Sequence, residues 1–478
     1  MGETTCKVFT PPEIVSYMLD KIGYIHDLYG KKILENSCGT GRFLREIARR
    51  YIIDARKSGK TDEEIKRGLE RDVHGIEKER DIYDKCLNNL DNMAAQLGIR
   101  DVRWNVRLSD ALTLKTEPIY QFVVGNPPYI TYYNMPEEDR KLIKSRYESC
   151  KRGKADYYYA FTEAALEALA SDGVMAYLIP NNFMKNRYSE GLRKYILPYL
   201  IELEDFKFER IFEGRLTSSA IIVCSKRQNS PTFLYTDREK AGDVETNNTY
   251  ISKNSLKGKW VLDRELDHIG EKKRFGDCFK VSAPVATLLN QVFVIKDFKE
   301  NEKWIEKDGF RLEKSGLRPA ASPKSMQYKE KNYIIFPYYY ESNKLCRYEE
   351  GQFVKLYPQI TGYLTQYAQK LSERKADKKS KWFEFGRSQA LAHINQEKLM
   401  LSTLITGKVK YYRLDKYTVP YSGMYIVPKD GYTIEQVEQV LDSEEFYRYI
   451  QAVGIHANGK TYRVSPRDIA NYVFEEKW

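Results

Sequence analysis

The run Asn126-Pro127-Pro128-Tyr129 joins a primary amide, two residues that stiffen the backbone and an aromatic face. An exocyclic amino group on an aromatic base is a poor nucleophile, because its lone pair is delocalised into the ring. The side-chain oxygen of Asn126 and a backbone carbonyl, most naturally that of Pro127, can accept both of its N–H bonds. That draws the nitrogen towards tetrahedral geometry and frees the lone pair for attack. Proline makes such a grip preorganised, since it fixes φ and removes competing donors. The ring of Tyr129 then offers a surface on which a flat base can stack. A proline-rich loop after a strand is the plainer alternative, but a turn needs only one of these residues.

Three acids upstream belong to the same pattern. Glu35 is followed by Asn36-Ser37-Cys38-Gly39-Thr40-Gly41, a small-residue turn opening a helix. Its glycines let the backbone turn tightly and approach a ligand, and the helix N-terminus presents free N–H groups to an anion such as a carboxylate. Leu44 stands three residues after Gly41, so this is not the GxGxxG of dinucleotide enzymes, and a simple strand-to-helix turn fits it equally well. Glu77 is placed to accept two ribose hydroxyls. Asp110 can accept from an adenine amino group or cap a helix. Acids ending successive strands line one crevice.

The elements that would position these residues alternate. Lys32–Glu35, Val73–Glu77, Leu108–Asp110, Phe122–Gly125 and Val174–Ile179 read as strands. Amphipathic helices fall between them, at Phe43–Tyr51, about Lys78–Leu97, and Tyr157–Ala170. This rhythm predicts an α/β fold with a mostly parallel, doubly wound sheet, which binds ligands beyond the carboxyl ends of its strands. The charged run Asp54–Asp72 reads as a solvated helical insertion, and Ser225–Asn254 as a polar segment linking or bordering two domains. From about Leu262 the rhythm stops. Short strands at Gln291–Ile295 and Tyr333–Phe336 mix with a helix near Gln359–Glu373, as in a separate α+β domain.

Composition sets limits. The chain has 478 residues, 42% hydrophobic and 30% charged, with no apolar run of membrane-spanning length. Its polar first residues carry no signal segment, so a cytoplasmic protein is expected. Seven scattered cysteines without a CxxC pair argue against a disulfide framework and against a thiolate metal site; five dispersed histidines predict no zinc. The net charge of +11 suits a polyanionic partner without requiring one. Residues 361–420 hold twelve Lys or Arg against five Asp or Glu, interleaved with Tyr and Trp382. That is either a phosphate-contacting surface or a solvated charged face. Arg387, Gln389 and Lys408 lie within it.

The segments VFTPPEIVSYML, ILENSCGTGRFL, GIEKE, LSDAL and VVGNPPYI, in that order, resemble the TaqI-like, gamma-class N6-adenine DNA methyltransferases of restriction-modification systems. The resemblance spans essentially the whole chain. It implies a Rossmann-like S-adenosylmethionine-dependent methyltransferase catalytic domain over residues 1–250 and a C-terminal α+β target-recognition domain over 255–478. It implies that Thr10 and Pro11 flank the methionine end of the cofactor, with Glu35, Ser37, Cys38, Gly39 and Gly41 forming its turn. Glu77 would hold the ribose, with Ile76 or Glu77 beside the adenine; Asp110 would hold the adenine amino group, Ala111 would join the cofactor-binding residues, and Phe161 would pack on the adenine face. Asn126, Pro127, Pro128 and Tyr129 would be catalytic. Phe212, in ERIFEGRLTSSAIIV, would stack on the target base with Tyr129.

The implied partner is double-stranded DNA, with a separate cognate restriction endonuclease possible and neither metal nor membrane involved. N4-cytosine methylation is the nearest alternative, since it too attacks from an exocyclic amine. An RNA or protein-glutamine methyltransferase, or a catalytically silent DNA-binding specificity protein, stands further off.

Overall fold

The computed structural model describes residues 10–207, 218–227, 230–238, 248–262, 273–458 and 460–476. The chain divides into two compact units, Met1–Leu262 and Asp263–Trp478.

The first unit is built on a nine-stranded sheet. Its strands are β1 (Ile33–Glu35), β2 (Val73–Glu77), β3 (Asn105–Leu108), β4 (Tyr120–Gly125), β5 (Leu169–Pro180), β6 (Leu200–Asp205), β7 (Ser219–Ser225), β8 (Thr232–Asp237) and β9 (Asn248–Ser252). They lie in the order β3-β2-β1-β4-β5-β7-β6-β8-β9. The first five in that order run parallel, and β7 enters antiparallel to both β5 and β6. The chain winds outwards from β1 in both directions, so the order reverses between β1 and β4. A crevice at the strands' carboxyl ends follows from that reversal.

Helices cover the sheet: α1 (Pro12–Lys21), α2 (Arg42–Lys57), α3 (Asp62–Asp72), α4 (Arg80–Gln96), α5 (Glu137–Arg146), α6 (Tyr157–Ala168) and α7 (Glu190–Ile196). Successive strand residues point to opposite faces, so the apolar runs of β4 and β5 feed two cores. Val123 and Tyr177 pack with Tyr158, Tyr159 and Phe161 of α6. Val124 and Leu178 pack with Phe43, Leu44 and Ile47 of α2.

Three expectations change. The run Asp54–Asp72 is not a solvated insertion: α2 continues to Lys57, and α3 buries Ile65, Leu69 and Asp72. The Asp72 carboxylate accepts from the Tyr51 hydroxyl at 2.6 Å and the Gly30 amide at 2.9 Å, which ties α3 to the domain. Ser225–Asn254 does not merely link, because β8 and β9 lie within it and bury Phe233, Tyr235 and Ile251 at the sheet's edge. Gln291–Ile295 is not one strand: a single helical turn, Asn290–Phe293, precedes the two-residue strand Val294–Ile295.

The second unit has no βαβ rhythm. Two four-stranded sheets carry it, with short helices between, and all their strand pairs are antiparallel except Leu317–Ala321 with Val419–Pro420. Phe293, Ile334, Ile335, Phe353, Phe383 and Phe385 centre its core. No helix among the described residues is long and apolar enough to cross a membrane.

Candidate active site

Each acid that the sequence places at a strand end comes to one cavity of about 640 Å³. Glu35 closes β1, Glu77 closes β2, Asp110 follows β3 and Asn126 follows β4. Thr10, Ser37, Cys38, Gly39, Ile76 and Ala111 line the same space, as do Pro127, Pro128, Tyr129 and Phe161. Two expected residues do not line it. Pro11 is the N-cap of α1, and Gly41 acts one step back, as the α2 N-cap. Phe212 lies outside the described residues.

The turn after β1 needs its glycine. Gly41 sits at φ +81°, and a Cβ there would come within 2.7 Å of the Cys86 sulfur on α4. Gly75, inside β2, makes room from the other side, where a Cβ would meet Leu44 at 2.7 Å. The turn is then pinned by backbone bonds, from Cys38 N to the Ile76 carbonyl (3.0 Å) and from Gly41 N to the Cys38 carbonyl (2.8 Å). Cys38 lies 4.0 Å from Cys86, sulfur to sulfur. That contact, reinforced by burial, holds the Cys38 thiol well above its usual range.

The acids differ in what they already hold. Glu77 accepts from the Gly39 amide (3.0 Å) and the Glu79 amide (2.8 Å), so it braces the glycine turn. Asp110 accepts from Leu112 N at 2.9 Å and pairs with Lys78 at 2.8 Å. Glu35 is buried and its Oε2 has no hydrogen-bond partner among the described residues. Burial pushes its carboxyl well above the usual range, helped by Cys86 and Glu77 and opposed by the Leu44 amide. A buried carboxyl in that state favours a donor or a cation arriving in the cavity.

Asn126 shows the same incompleteness on the opposite wall. Its Nδ2 donates to Thr10 Oγ1 at 3.1 Å, while its buried Oδ1 accepts nothing from the described residues. A buried amide oxygen without a donor costs free energy on the order of 1–3 kcal/mol. The arrangement therefore keeps one strong acceptor aimed and free beside the Pro127–Pro128 backbone. Tyr129 is held by its hydroxyl, which donates to the Leu178 carbonyl at 3.0 Å. Phe161 stacks on Tyr157 with centroids 6.0 Å apart, giving an aromatic wall to the cavity.

Sequence reasoning passed over four residues here. Asn36 lies between the Phe161 carbonyl, to which it donates at 3.3 Å, and the Tyr177 hydroxyl, from which it accepts. Its place directly after a strand-end acid was a usable signal. Arg42 reaches back to the Thr10 carbonyl at 3.2 Å, and Lys78 reaches across to Asp110. Tyr157 donates to Asp139, which also lines the cavity. These three are ordinary surface types in the sequence, and only the fold brings them in.

A central β1 with its glycine turn, acids at successive strand ends and a reversed β7 define the Rossmann-like fold of the S-adenosylmethionine-dependent methyltransferases, here followed by an α+β unit. Residues 41–212 match the family model of the Eco57I restriction-modification methylase. The chain is 22% identical over 373 residues to the Type II restriction enzyme and methyltransferase RM.Eco57I of Escherichia coli, covering 68% of this chain and 37% of that one. It is 31% identical to the Type II methyltransferase M.PaeR7I of Pseudomonas aeruginosa, covering 40% of this chain and 34% of the relative. The chain thus spans a little over a third of the length of these relatives. Among solved structures, the Type IIL restriction-modification enzyme MmeI in complex with DNA matches 96% of this chain and 65% of its own, with a TM-score of 0.60 at 12% identity.

Proposed function

We propose that this protein binds S-adenosylmethionine in the cavity and methylates the N6 amino group of an adenine turned out of a specific duplex DNA sequence. The observation that carries the reading is the unpartnered Oδ1 of Asn126, sharing one cavity with the glycine turn and the strand-end acids. The family match and the DNA-bound MmeI fold support it. So does the net charge of +11.

The residues suit this cofactor. The free Oε2 of Glu35 and the turn after β1 fit its amino-acid end, with Thr10 nearby. Glu77 at the end of β2 suits two ribose hydroxyls, and Asp110 suits an adenine amino group once Lys78 yields. Phe161 with Tyr157 suits the adenine face. The bound cofactor supplies an electrophilic methyl sulfonium.

The chain's own residues then have three tasks. The crevice excludes water and holds the amine in line with the methyl carbon, an alignment that lowers the barrier substantially. Asn126 Oδ1 and the Pro127 carbonyl accept hydrogen bonds from the two amine N–H groups, which keep their hydrogens, so the lone pair is free when attack begins. Tyr129 holds the base by its face. Extrusion from the duplex costs a few kcal/mol. Stacks on Tyr129 and on Phe212 would each return about 1–3 kcal/mol. The second unit is assigned to DNA recognition.

Sequencing modified bases in DNA from a host expressing the protein tests the reading. Modified adenine within one short sequence is expected. Modified cytosine, or no modification by a chain that binds cofactor, would overturn it.

A further inference from the structure

The arginines of the second unit divide by what satisfies them. Arg374 donates to four backbone carbonyls, those of Leu371, Thr287, Glu384 and Trp382, at 2.8–3.1 Å. Arg347 forks onto Glu384, and Arg413 onto Glu438. These guanidiniums are structural, and their donors are spent.

Arg318 is different. It sits on the strand Leu317–Ala321, with its guanidinium carbon 4.2 Å from the Phe336 ring centre and 5.1 Å from that of Tyr340. Those two rings are nearly parallel, 18° apart. Tyr340 is itself anchored through its hydroxyl to the Leu391 carbonyl at 2.6 Å. Among the described residues, the one hydrogen bond of Arg318 is a long one of 3.4 Å to Asn395 Oδ1, and it has no ion pair. Asp415, a carboxylate whose charge reaches Arg318, accepts instead from the amides of Tyr417 and Thr418. Burial, with Lys398 close by, works against the charge at this position.

A half-buried guanidinium normally recovers its lost hydration from a carboxylate or from carbonyls. Here aromatic faces offset part of the cost, since cation–π contacts contribute roughly 0.5–2 kcal/mol each. Faces, unlike acceptors, leave the edge of the fork unused. They also fix its plane, so little side-chain freedom remains to be lost on binding. The strand beneath is paired on both sides, with Asn332–Ile335 and with Val419–Pro420, which suits a group that must meet a ligand at a set position.

We infer that Arg318 is a base-reading residue, held by Phe336 and Tyr340 to present its fork to the O6 and N7 acceptors of a guanine in the major groove. This rests on the reading of the second unit as the DNA-recognition part. A paired acceptor edge in one plane is what a guanidinium fork matches, and guanine offers it where the other bases do not. Asn395, which also donates to Asn343 Oδ1 at 3.1 Å, steadies the fork from the side and is a positioning residue.

The test is selection of bound sequences from a random duplex library with the full chain, the wild type beside Arg318→Ala and Arg318→Lys. The wild type should select a sequence containing a guanine at which both variants relax. Affinity for that sequence should fall about 5- to 150-fold, while binding to random DNA and its salt dependence stay unchanged. Placing 7-deazaguanine at that position should cost the wild type a comparable factor and Arg318→Ala nothing further. The wild-type arm needs no substitution, so a variant that folds poorly does not spoil the test.

Retention of every selected position by Arg318→Ala would overturn the assignment. So would a uniform loss on all sequences with a salt slope shallower by about 0.9, which marks a phosphate contact instead. A wild type that selects no sequence overturns it as well. Selection reads binding alone, so a chain that selects a sequence yet transfers no methyl group sinks the proposed function and leaves Arg318 to its own result.

Discussion

The cavity of the first unit and the aromatic ledge around Arg318 in the second leave different kinds of group unfinished. In the cavity of the first, two buried acceptors have no hydrogen-bond partner among the described residues, Glu35 Oε2 and Asn126 Oδ1. In the second, the under-satisfied group is a cation, Arg318, at a partly exposed aromatic ledge. Buried acceptors suit a small ligand that enters and brings N–H donors or positive charge. A cation at a ledge suits a large partner that brings acceptors and cannot enter. On the proposed function, the difference in sign and in exposure would separate the chemical site from the reading site.

The strongest way to break that contrast is at Asn126. Asn126→Ala should lower the rate of methyl transfer by about 10²–10³-fold, the scale of losing one preorganised polar group at a reacting centre. Cofactor and DNA affinity, measured in parallel by titration, should change little. Retained turnover would remove Asn126 from the chemistry.

Next comes the contrast between spent and unspent arginines. Arg374→Ala removes a donor from four carbonyls, of which Thr287 keeps the Gly386 amide, and should cost about 2–4 kcal/mol in denaturant unfolding. Arg318→Ala should cost less, because losing one long bond and two ring contacts is largely offset by removing a half-buried charge. Equal losses would make Arg318 structural.

A smaller effect belongs to Glu35. Its folded-state pKa lies above its unfolded one, so the folded chain holds an extra proton in the window between them. Stability without cofactor should therefore fall as pH rises from about 4.5, the ordinary glutamate value, until the raised pKa is passed. Glu35→Gln removes this dependence. It should raise the thermal midpoint of the cofactor-free chain at alkaline pH, while weakening cofactor binding. An unchanged pH profile of stability would show that the carboxyl is not strained by burial.

The smallest effect is at the exposed residue Lys408. If it meets a phosphate, Lys408→Ala should flatten the log–log salt dependence of DNA affinity by about 0.9 and leave sequence choice alone.

Much of the cavity was legible because strand-end residues announce themselves: an apolar run stops, and an acid or amide follows. Glu35, Glu77, Asp110 and Asn126 all carry that local signal. The helicity of α3 was legible but its burial was not, because Ile65 and Leu69 are two apolar residues in a charged run, and the contacts that bury Asp72 come from Tyr51 and Gly30 elsewhere. The strands β8 and β9 hid in polar sequence for the same reason: an edge position asks for only a few inward apolar residues. The charged stretch 361–420 misled in part. Its Arg374 is spent on carbonyls, and its Lys398 is buried, donating to the Gln396 carbonyl with its pKa lowered to about 8 by burial. Arg318 gave no signal at all. Whether an arginine is paired depends on Phe336, Tyr340 and Asn395, none of them near it in sequence.

The central claim is that the cavity transfers a methyl group to an adenine amine. Incubating the purified chain with methyl-labelled S-adenosylmethionine and duplex DNA, then digesting to nucleosides, tests it most directly. The account predicts label in N6-methyladenine, lost with Asn126→Ala. Label in cytosine, or none in DNA while the cofactor is bound, would contradict it.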